Sequence, residues 1–474
     1  MKKTLLIITL CASMLGFKAF AQDSYSLTVF DQAIYYGMYE DMVSEPIPDG
    51  AVRNSNSSYG KKLTDEQIDA IGNTLTMTVT LNPLCDNYDR IGNANLAFVP
   101  KNSTSYIYRD VKRIELGRFI TPFMDKNVNE PNAVPYEFEI DNVTEILHDP
   151  ILRAEFDFWV ELEVCGYQGG PGQGGAAVEI EGCAGRNDVY MGSLKLDSTN
   201  DPNITRGQSY FKQLAYKFEL KKYVQATENN DFGQGTDLLG TTERTINFTL
   251  EEDMPNAKFY VITSNHGSGT NGEEYIRRTH NVYVDGSAIA NRVLQYRPGG
   301  ISCVPYSVYN TQFSCIYNIC HDDGTYEPRP DTNAAWNWNN WCPGNKIPTR
   351  IADLGTLTAG NHSFKIAVPA AQFYNNDGYF PMSVYVQGYS ETLGDKDFKL
   401  STFTIAPNPV NDIATITVPN GQAIKSVSVT NTLGQLVMQG NSTTVNMASL
   451  QSGIYIVKVQ FDNNQVATKK IIKK

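Results

Sequence analysis

At 474 residues the chain exceeds what one ordinary core organises, and length alone predicts about three domains. A formal charge of −12 sets it against nucleic acid, whose phosphates require a basic face. Tyr and Phe are abundant, while three of the four Trp cluster at 336–341, a profile that suits a β-rich protein with an aromatic-lined cleft.

Met1-Lys2-Lys3, the apolar run 4–16 and Ala19-Phe20-Ala21 have the charged, apolar and small-residue regions of a secretory signal peptide, with cleavage expected after Ala21. Losing Lys2, Lys3 and Lys18 takes the formal charge from −12 to −15. No later stretch approaches the roughly 20 apolar residues of a spanning helix, so a soluble, exported chain is expected. Cys11 leaves with the signal, and seven cysteines enter a compartment that permits disulfides. Cys165 with Cys183 and Cys315 with Cys320 are candidate local staples. Cys303 with Cys342 is a third candidate pair, which leaves Cys85 odd.

Residues 22–210 are expected to form a first β domain, with short strands at Leu75–Leu81, Ala94–Val99, Tyr106–Ile114, Tyr136–Ile140 and Leu152–Val164. No element is assigned to 22–70. The glycines of 166–177 mark a surface loop and not a phosphate cradle, since no strand-to-helix switch or Gly-Lys-Ser/Thr follows. Polar, turn-rich stretches at 197–205 and 228–240 bracket the passage to a second β domain, 211–395. Its strands are expected at Thr245–Leu250, Lys258–Thr263, Thr279–Val284 and Met382–Tyr389. Many short strands without intervening helices predict an all-β protein of antiparallel sandwiches or jelly rolls. Residues 401–474 differ in character, with Ile405-Ala406-Pro407-Asn408-Pro409, Leu433-Gly434-Gln435 and Gly453-Ile454-Tyr455. This block resembles the C-terminal sorting domain of type IX secretion, a small β-sandwich that addresses cargo to an outer-membrane translocon. Its basic end, Lys469, Lys470, Lys473 and Lys474, would then serve transport.

Five segments concentrate carboxylates, arginines and aromatics: 84–90 with Asp86, Asp89 and Arg90; 117–123 with Arg118; 156–159 with Asp157 and Trp159; 272–280 with Glu273, Glu274, Tyr275, Arg277 and Arg278; and Trp341-Cys342-Pro343-Gly344 with Pro348-Thr349-Arg350-Ile351. Such a set could line an interdomain cleft for a sugar, whose rings stack on aromatics and whose hydroxyls bond to charged groups. Taken singly, Asp89-Arg90 reads as a loop ion pair, the 273–278 charges as a solvated strand edge, and Trp336, Trp338 and Trp341 as packing.

Their joint order and spacing resemble the peptide-N-glycosidase F family over roughly 75–389. The resemblance implies two jelly rolls side by side with the site between them, and it does not extend to the small C-terminal β-sandwich. It also implies hydrolysis of the amide joining N-acetylglucosamine to asparagine, which converts Asn to Asp. On that likeness the Cys-Asp-x-x-Asp-Arg loop places the primary catalytic acid at Asp89 and a second at Glu274. A family glutamate two residues before a Trp falls on Asp157, one methylene shorter. Asp89 would activate water or attack directly, with Glu274 and Asp157 orienting the reaction. Arg90 and Arg278 are candidates to hold a carboxylate ionised or to polarise the carbonyl. Trp159, Tyr275, Trp338, Trp341 and Arg350 complete the expected substrate contacts. Tyr275 stands where the family has Trp, and Trp338 where it has Arg. Cys303 with Cys342 matches a family pair, whereas a family disulfide beside Glu274 and the usual partner of Cys85 are not visible.

No cofactor or metal is expected. A copper monooxygenase also pairs jelly rolls but needs clustered imidazoles, and His148, His266, His280, His321 and His362 lack tight ligand spacing. A glycoside hydrolase would use two carboxylates, and a noncatalytic glycan-binding surface protein is the remaining alternative. The expected partners are N-glycosylated proteins or glycopeptides and the secretion translocon. The protein is expected to be a monomer, secreted or held at the outer-membrane surface after passing the periplasm.

Overall fold

The segment Thr74–Pro83 shows how the sequence builds its layers. Leu75, Met77, Val79 and Leu81 are fully buried, while the polar residues between them stay half-buried, the period-two pattern of a strand with one face on a core. The computed structural model describes residues 24–128, 131–167, 179–204, 207–220, 243–267, 273–286, 291–310, 318–320, 326–328, 340–371, 378–390, 403–418, 423–432, 434–462 and 466–474. With 54% strand and 8% helix the protein is all-β.

The first sandwich pairs two antiparallel sheets across one apolar core. One runs in the order Ser24–Tyr36, Asp188–Thr199, Thr74–Pro83, Val134–Glu139. The other runs Lys346–Ile347, Lys112–Ile120, Ile91–Pro100, Phe156–Val164, Ser58–Lys62, Ala51–Ser55. Residues 22–70, given no element above, thus supply an edge strand of one sheet and a hairpin at the edge of the other. The second sandwich joins the sheet Ser209–Leu220, Phe380–Tyr389, Met254–Thr263, Arg350–Leu357 to the sheet Glu243–Leu250, Gly360–Ala367, His280–Val284, Arg292–Tyr296, around a core of its own. Residues from 392 onward form a separate compact unit. In it a three-stranded and a four-stranded antiparallel sheet enclose Val410, Val429, Val457 and Phe461.

The expected strand Tyr106–Ile114 is shifted to Lys112–Ile120, and the expected Leu152–Val164 is shortened. The stretch before Lys112 is a 3-10 turn at Tyr108–Asp110. Leu152 lies in the short helix Pro150–Glu155, because Asp149 caps it by accepting from the backbone N–H groups of Ile151 and Leu152, and Pro150 occupies its first turn. The strand therefore starts at Phe156.

The two sandwiches meet through a buried polar seam. Arg118, fully buried on the strand Lys112–Ile120, donates Nε and Nη2 to both carboxylate oxygens of Glu115 at 2.7 Å each. Its Nη1 crosses to the second sandwich and donates to Ser264 Oγ (2.9 Å) and to the carbonyl of Pro381 (2.7 Å). Ser383 Oγ returns a bond to Glu115 (2.5 Å). Beside it Tyr260 and Tyr385 stack at 4.8 Å and join the first core, and Phe98 stacks on Phe211 at 5.4 Å. The segment 346–347 pairs with Phe119 and Arg118, so the second half of the chain extends a sheet of the first.

Removing one partner of a buried bidentate pair leaves an uncompensated charge, whereas removing both does not. Arg118→Met is therefore expected to cost about 3–5 kcal/mol in denaturant unfolding, and the double change Glu115→Leu/Arg118→Met to cost less. A single variant no less stable than the double would refute this reading of the seam.

Candidate functional site

The loop 84–90 is organised by Asp86, whose side chain is fully buried. Its Oδ1 accepts the backbone N–H of Tyr88 (3.0 Å), and its Oδ2 accepts Arg90 Nε (2.9 Å) and the backbone N–H of Tyr167 (2.7 Å). Thr121 closes the loop from the other side, accepting Arg90 N at 2.6 Å and donating to the Tyr88 carbonyl at 2.6 Å. Asp89 is held between two pinned neighbours and keeps only partial exposure.

The loop 273–276 comes from the second sandwich and is fixed in a similar way. Asn340 Nδ2 donates to the carbonyls of Glu273 (2.9 Å) and Glu274 (2.8 Å). Glu273 is buried and takes Arg278 in a bidentate pair at 2.8 and 2.7 Å. Glu274 meets Gly267 twice at 3.3 Å, through its backbone N–H to the carbonyl and through Oε2 from the Gly267 N–H. Gly344, at φ +90°, makes the turn that returns the chain so that its N–H and the carbonyl of Asn345 bond Ile120.

The two loops bring Asp89 and Glu274 within electrostatic reach. Burial, then the Glu274 charge, push the Asp89 carboxyl from the ordinary 3.8 up to about 8, with Arg90 pulling partly the other way. Two carboxylates in one site cannot both ionise freely, and a carboxyl poised near neutrality is suited to moving a proton.

Asp157 does not join them. Its carboxylate binds Lys62 at 2.6 Å, Lys101 at 3.1 Å and the backbone N–H of Asn102 at 2.8 Å. Burial raises its pKa, but these partners outweigh that and hold it below the ordinary value. In the register of the sheet it lies opposite Val99, at the far end of the strand from the Asp89 loop, where Glu163 pairs with Asn93. Six residues of strand separate the two acids by about 20 Å. Glu163, not singled out from the sequence, is the acid at the end of this strand nearer the Asp89 loop. It accepts from Lys217 Nζ (2.8 Å) and Tyr108 Oη (3.2 Å), which overcome burial and keep it below its ordinary pKa. The signal was present: Asp157, Glu161 and Glu163 alternate on one face, and only register selects among them. Glu161 is taken up by Arg113 and Tyr106.

The remaining residues divide. Tyr275 is 46% exposed beside Glu274. Arg90 uses Nε on Asp86 and lies 5.1 Å over the Tyr88 ring, while Arg278 is occupied by Glu273. Trp159 is buried against Ala97, Val99 and Val111 and is not a sugar platform. Trp341 is buried too, donating Nε1 to the Asn265 carbonyl at 3.0 Å and packing on Ile120, Ile262 and Ile347. Arg350 sits 5.3 Å over the Tyr296 ring. Trp338 and Cys315, and the side chain of Cys320, lie outside the described residues. Cys303–Cys342 forms as expected, but Cys183 pairs with Cys85 across 98 residues, and Cys165 is left as a free thiol. The backbone decides this: the Asp188 and Val189 carbonyls take the amides of Leu84, Cys85 and Asp86, which lays Cys183 beside Cys85.

Residues 236–387 match the family model described as peptide-N-glycosidase F, C terminal, and 404–474 match the secretion system C-terminal sorting domain. Among solved structures the fold is similar to PNGF-II in its C2 crystal form, with TM-score 0.53 and 17% identity over 79% of this chain and 66% of that one. The chain thus spans just under two thirds of the length of PNGF-II. PNGase F, a glycosylasparaginase from Flavobacterium meningosepticum, aligns at TM-score 0.45 and 15% identity over 78% of this chain and 96% of that one. A search of curated proteins finds no match. Two antiparallel jelly-roll sandwiches define the class, a fold of the PNGF-II type. The chain is a PNGase F-like protein with a C-terminal type IX sorting domain, which marks it for secretion or the outer-membrane surface.

The raised Asp89 pKa has a signed consequence. Between the ordinary 3.8 and about 8 the folded state holds a proton that the unfolded chain has lost, so stability falls as pH rises through that window. Asp89→Asn is expected to gain in melting temperature over the wild type progressively from pH 4 to pH 8, about 2–4 °C for each 1 kcal/mol relieved. A difference that does not change with pH would rule out the burial assigned to Asp89. A second expectation concerns the thiols: alkylation under denaturing, nonreducing conditions labels Cys165 and leaves Cys85 and Cys183 in one linked peptide, whereas a Cys165–Cys183 peptide would contradict the pairing.

Proposed function

We propose that the protein is a secreted amidase that hydrolyses the bond between N-acetylglucosamine and the asparagine side chain of N-glycoproteins. The observation that carries this reading is the approach of Asp89 and Glu274 from two different sandwiches, with the Asp89 carboxyl poised near neutral pH.

An unactivated amide resists water, so the site has to deliver a nucleophile, accept its proton and stabilise charge on the carbonyl oxygen and the departing nitrogen. Asp89 in its carboxylate form takes a proton from water as the water oxygen bonds to the side-chain carbonyl carbon. Collapse breaks the carbon–nitrogen bond and returns the proton to the nitrogen. The products are aspartate in the peptide and a glycosylamine, which exchanges its amine for water and releases ammonia. Glu274 orients the reacting group, and its charge raises the proton affinity of Asp89. Arg90 is the arginine that serves the carbonyl, because its terminal nitrogens have no protein hydrogen bond among the described residues, whereas Arg278 is neutralised by Glu273. Glu163 takes the third acidic role that the sequence had given to Asp157, and Tyr275 offers a ring face to the core sugar.

Incubating a denatured glycopeptide with the mature protein is expected to yield free glycan and an Asn-to-Asp change by mass spectrometry. A peptide that retains a sugar would point to a glycosidase, and binding without release to a lectin-like role. Asp89→Asn is expected to lower the rate by about 10²–10⁴-fold with binding kept. Glu163→Gln should lower the rate by about 10²-fold, while Asp157→Asn stays within a few-fold of the wild type. The reverse order would return the third acid to Asp157.

A further inference from the structure

Residues 37–47 link the first strand to the edge hairpin without regular structure, yet their backbone is fixed. Asn56, 4% exposed, donates Nδ2 to the carbonyls of Gly37 (3.1 Å), Glu40 (3.3 Å) and Asp41 (3.0 Å), and its Oδ1 accepts the N–H of Val43 (3.0 Å). Arg53 donates to the carbonyls of Val43 (2.7 Å) and Glu45 (2.8 Å). The N–H of Met38 bonds the Gly166 carbonyl at 2.9 Å. With the carbonyls drawn inward the side chains point out: Tyr39 is 75% exposed, Met42 60% and Met38 40%. An exposed apolar cluster on a fixed backbone is a preorganised contact surface, since little ordering entropy is left to lose on binding.

This arm is continuous with the Asp89 loop. Tyr39 meets the Tyr167 ring edge-on at 5.6 Å, and the Arg90 guanidinium lies 5.9 Å from that same ring. The Tyr167 N–H is held by Asp86, which also holds Arg90. The surface therefore runs from Arg90 to Tyr39 over at most about 12 Å, the reach of three or four residues of extended chain.

We propose that this arm binds the polypeptide flanking the glycosylated asparagine and selects substrates in which that segment is extended. The proposal rests on the amidase reading and adds to it the side of the substrate that the arm grips. Thioethers adapt to apolar side chains of varied shape and form poor hydrogen bonds to sugar hydroxyls. Glu40 and Asp41, exposed between them, add affinity for basic side chains on the same segment.

The test compares the full chain with Tyr39→Ala/Met42→Ala on two glycopeptides carrying the same glycan. One has the asparagine flanked by a single residue on each side, and the other carries it in a long unfolded chain. Both altered residues are exposed, so melting temperature should hold. kcat/KM on the long glycopeptide is expected to fall about tenfold and on the short one to stay unchanged. Binding of the long peptide without its glycan, measured by calorimetry on Asp89→Asn protein with and without the two arm changes, should weaken in parallel. Equal effects on both substrates, no effect on either, or a loss that follows glycan size would overturn the arm's role. If the wild type releases no glycan while the arm-dependent peptide binding persists, the amidase reading fails and the binding surface stands. If that binding is absent as well, both fail.

Discussion

The bidentate pair between Glu115 and Arg118 is the contact on which the site's geometry depends. Arg118 spends two nitrogens on Glu115 within its own sheet and the third on Ser264 and the Pro381 carbonyl across the seam. Three residues further along that strand's exit, Thr121 closes the Asp89 loop. Three residues beyond Ser264, Gly267 holds Glu274. One guanidinium therefore fixes the distance between two acids that lie 185 positions apart in the chain. Planarity matters here, because a lysine at 118 would offer a point charge and lose the fork that satisfies both sides at once.

Burying that pair carries a desolvation cost that apolar packing would avoid. What it provides is direction. The stacked tyrosines 260 and 385 and the Phe98–Phe211 contact supply area across the seam, but aromatic faces tolerate sliding. Hydrogen bonds to Ser264, Pro381 and Ser383 do not, since a shift of even 1 Å would leave buried donors unpaired. The strand 346–347 adds a backbone ladder to the same edge, so the seam has a fixed register as well as a fixed distance. A site assembled from two domains needs both.

Asp86 performs the corresponding task within one loop. Its buried carboxylate gathers Tyr88, Arg90 and Tyr167 and, through Gly166, reaches the arm at Met38. Asp89 beside it is buried near the Glu274 charge, and the two together raise its proton affinity against the pull of Arg90. Two aspartates three residues apart thus differ: burial raises both, but Asp86 is pinned as an anchor by its donors, whereas Asp89 also faces the Glu274 charge.

Much of this was legible in the chain itself. Alternation of apolar and polar residues marked strands such as Leu75–Leu81 and Thr245–Leu250, which lie within Thr74–Pro83 and Glu243–Leu250, because burial of one sheet face leaves a local, period-two trace. The order of the segments around Asp89, Glu274 and 341–351 carried the likeness to a family, and the spacing of the tail carried the sorting domain. The placement of the acids on Phe156–Val164 was not legible: Asp157, Glu161 and Glu163 share a face, and which one lies at the end nearer the Asp89 loop depends on the strand's pairing with Ile91–Pro100, a nonlocal fact. Cys85 likewise found Cys183 through a backbone pairing 98 residues apart, which nearness in sequence had pointed away from. Sequence determined the residues whose role is set by their neighbours in the chain. Tertiary structure alone decided those whose role is set by what packs against them, because electrostatics and covalent pairing act through space at a few ångströms regardless of how much chain lies between.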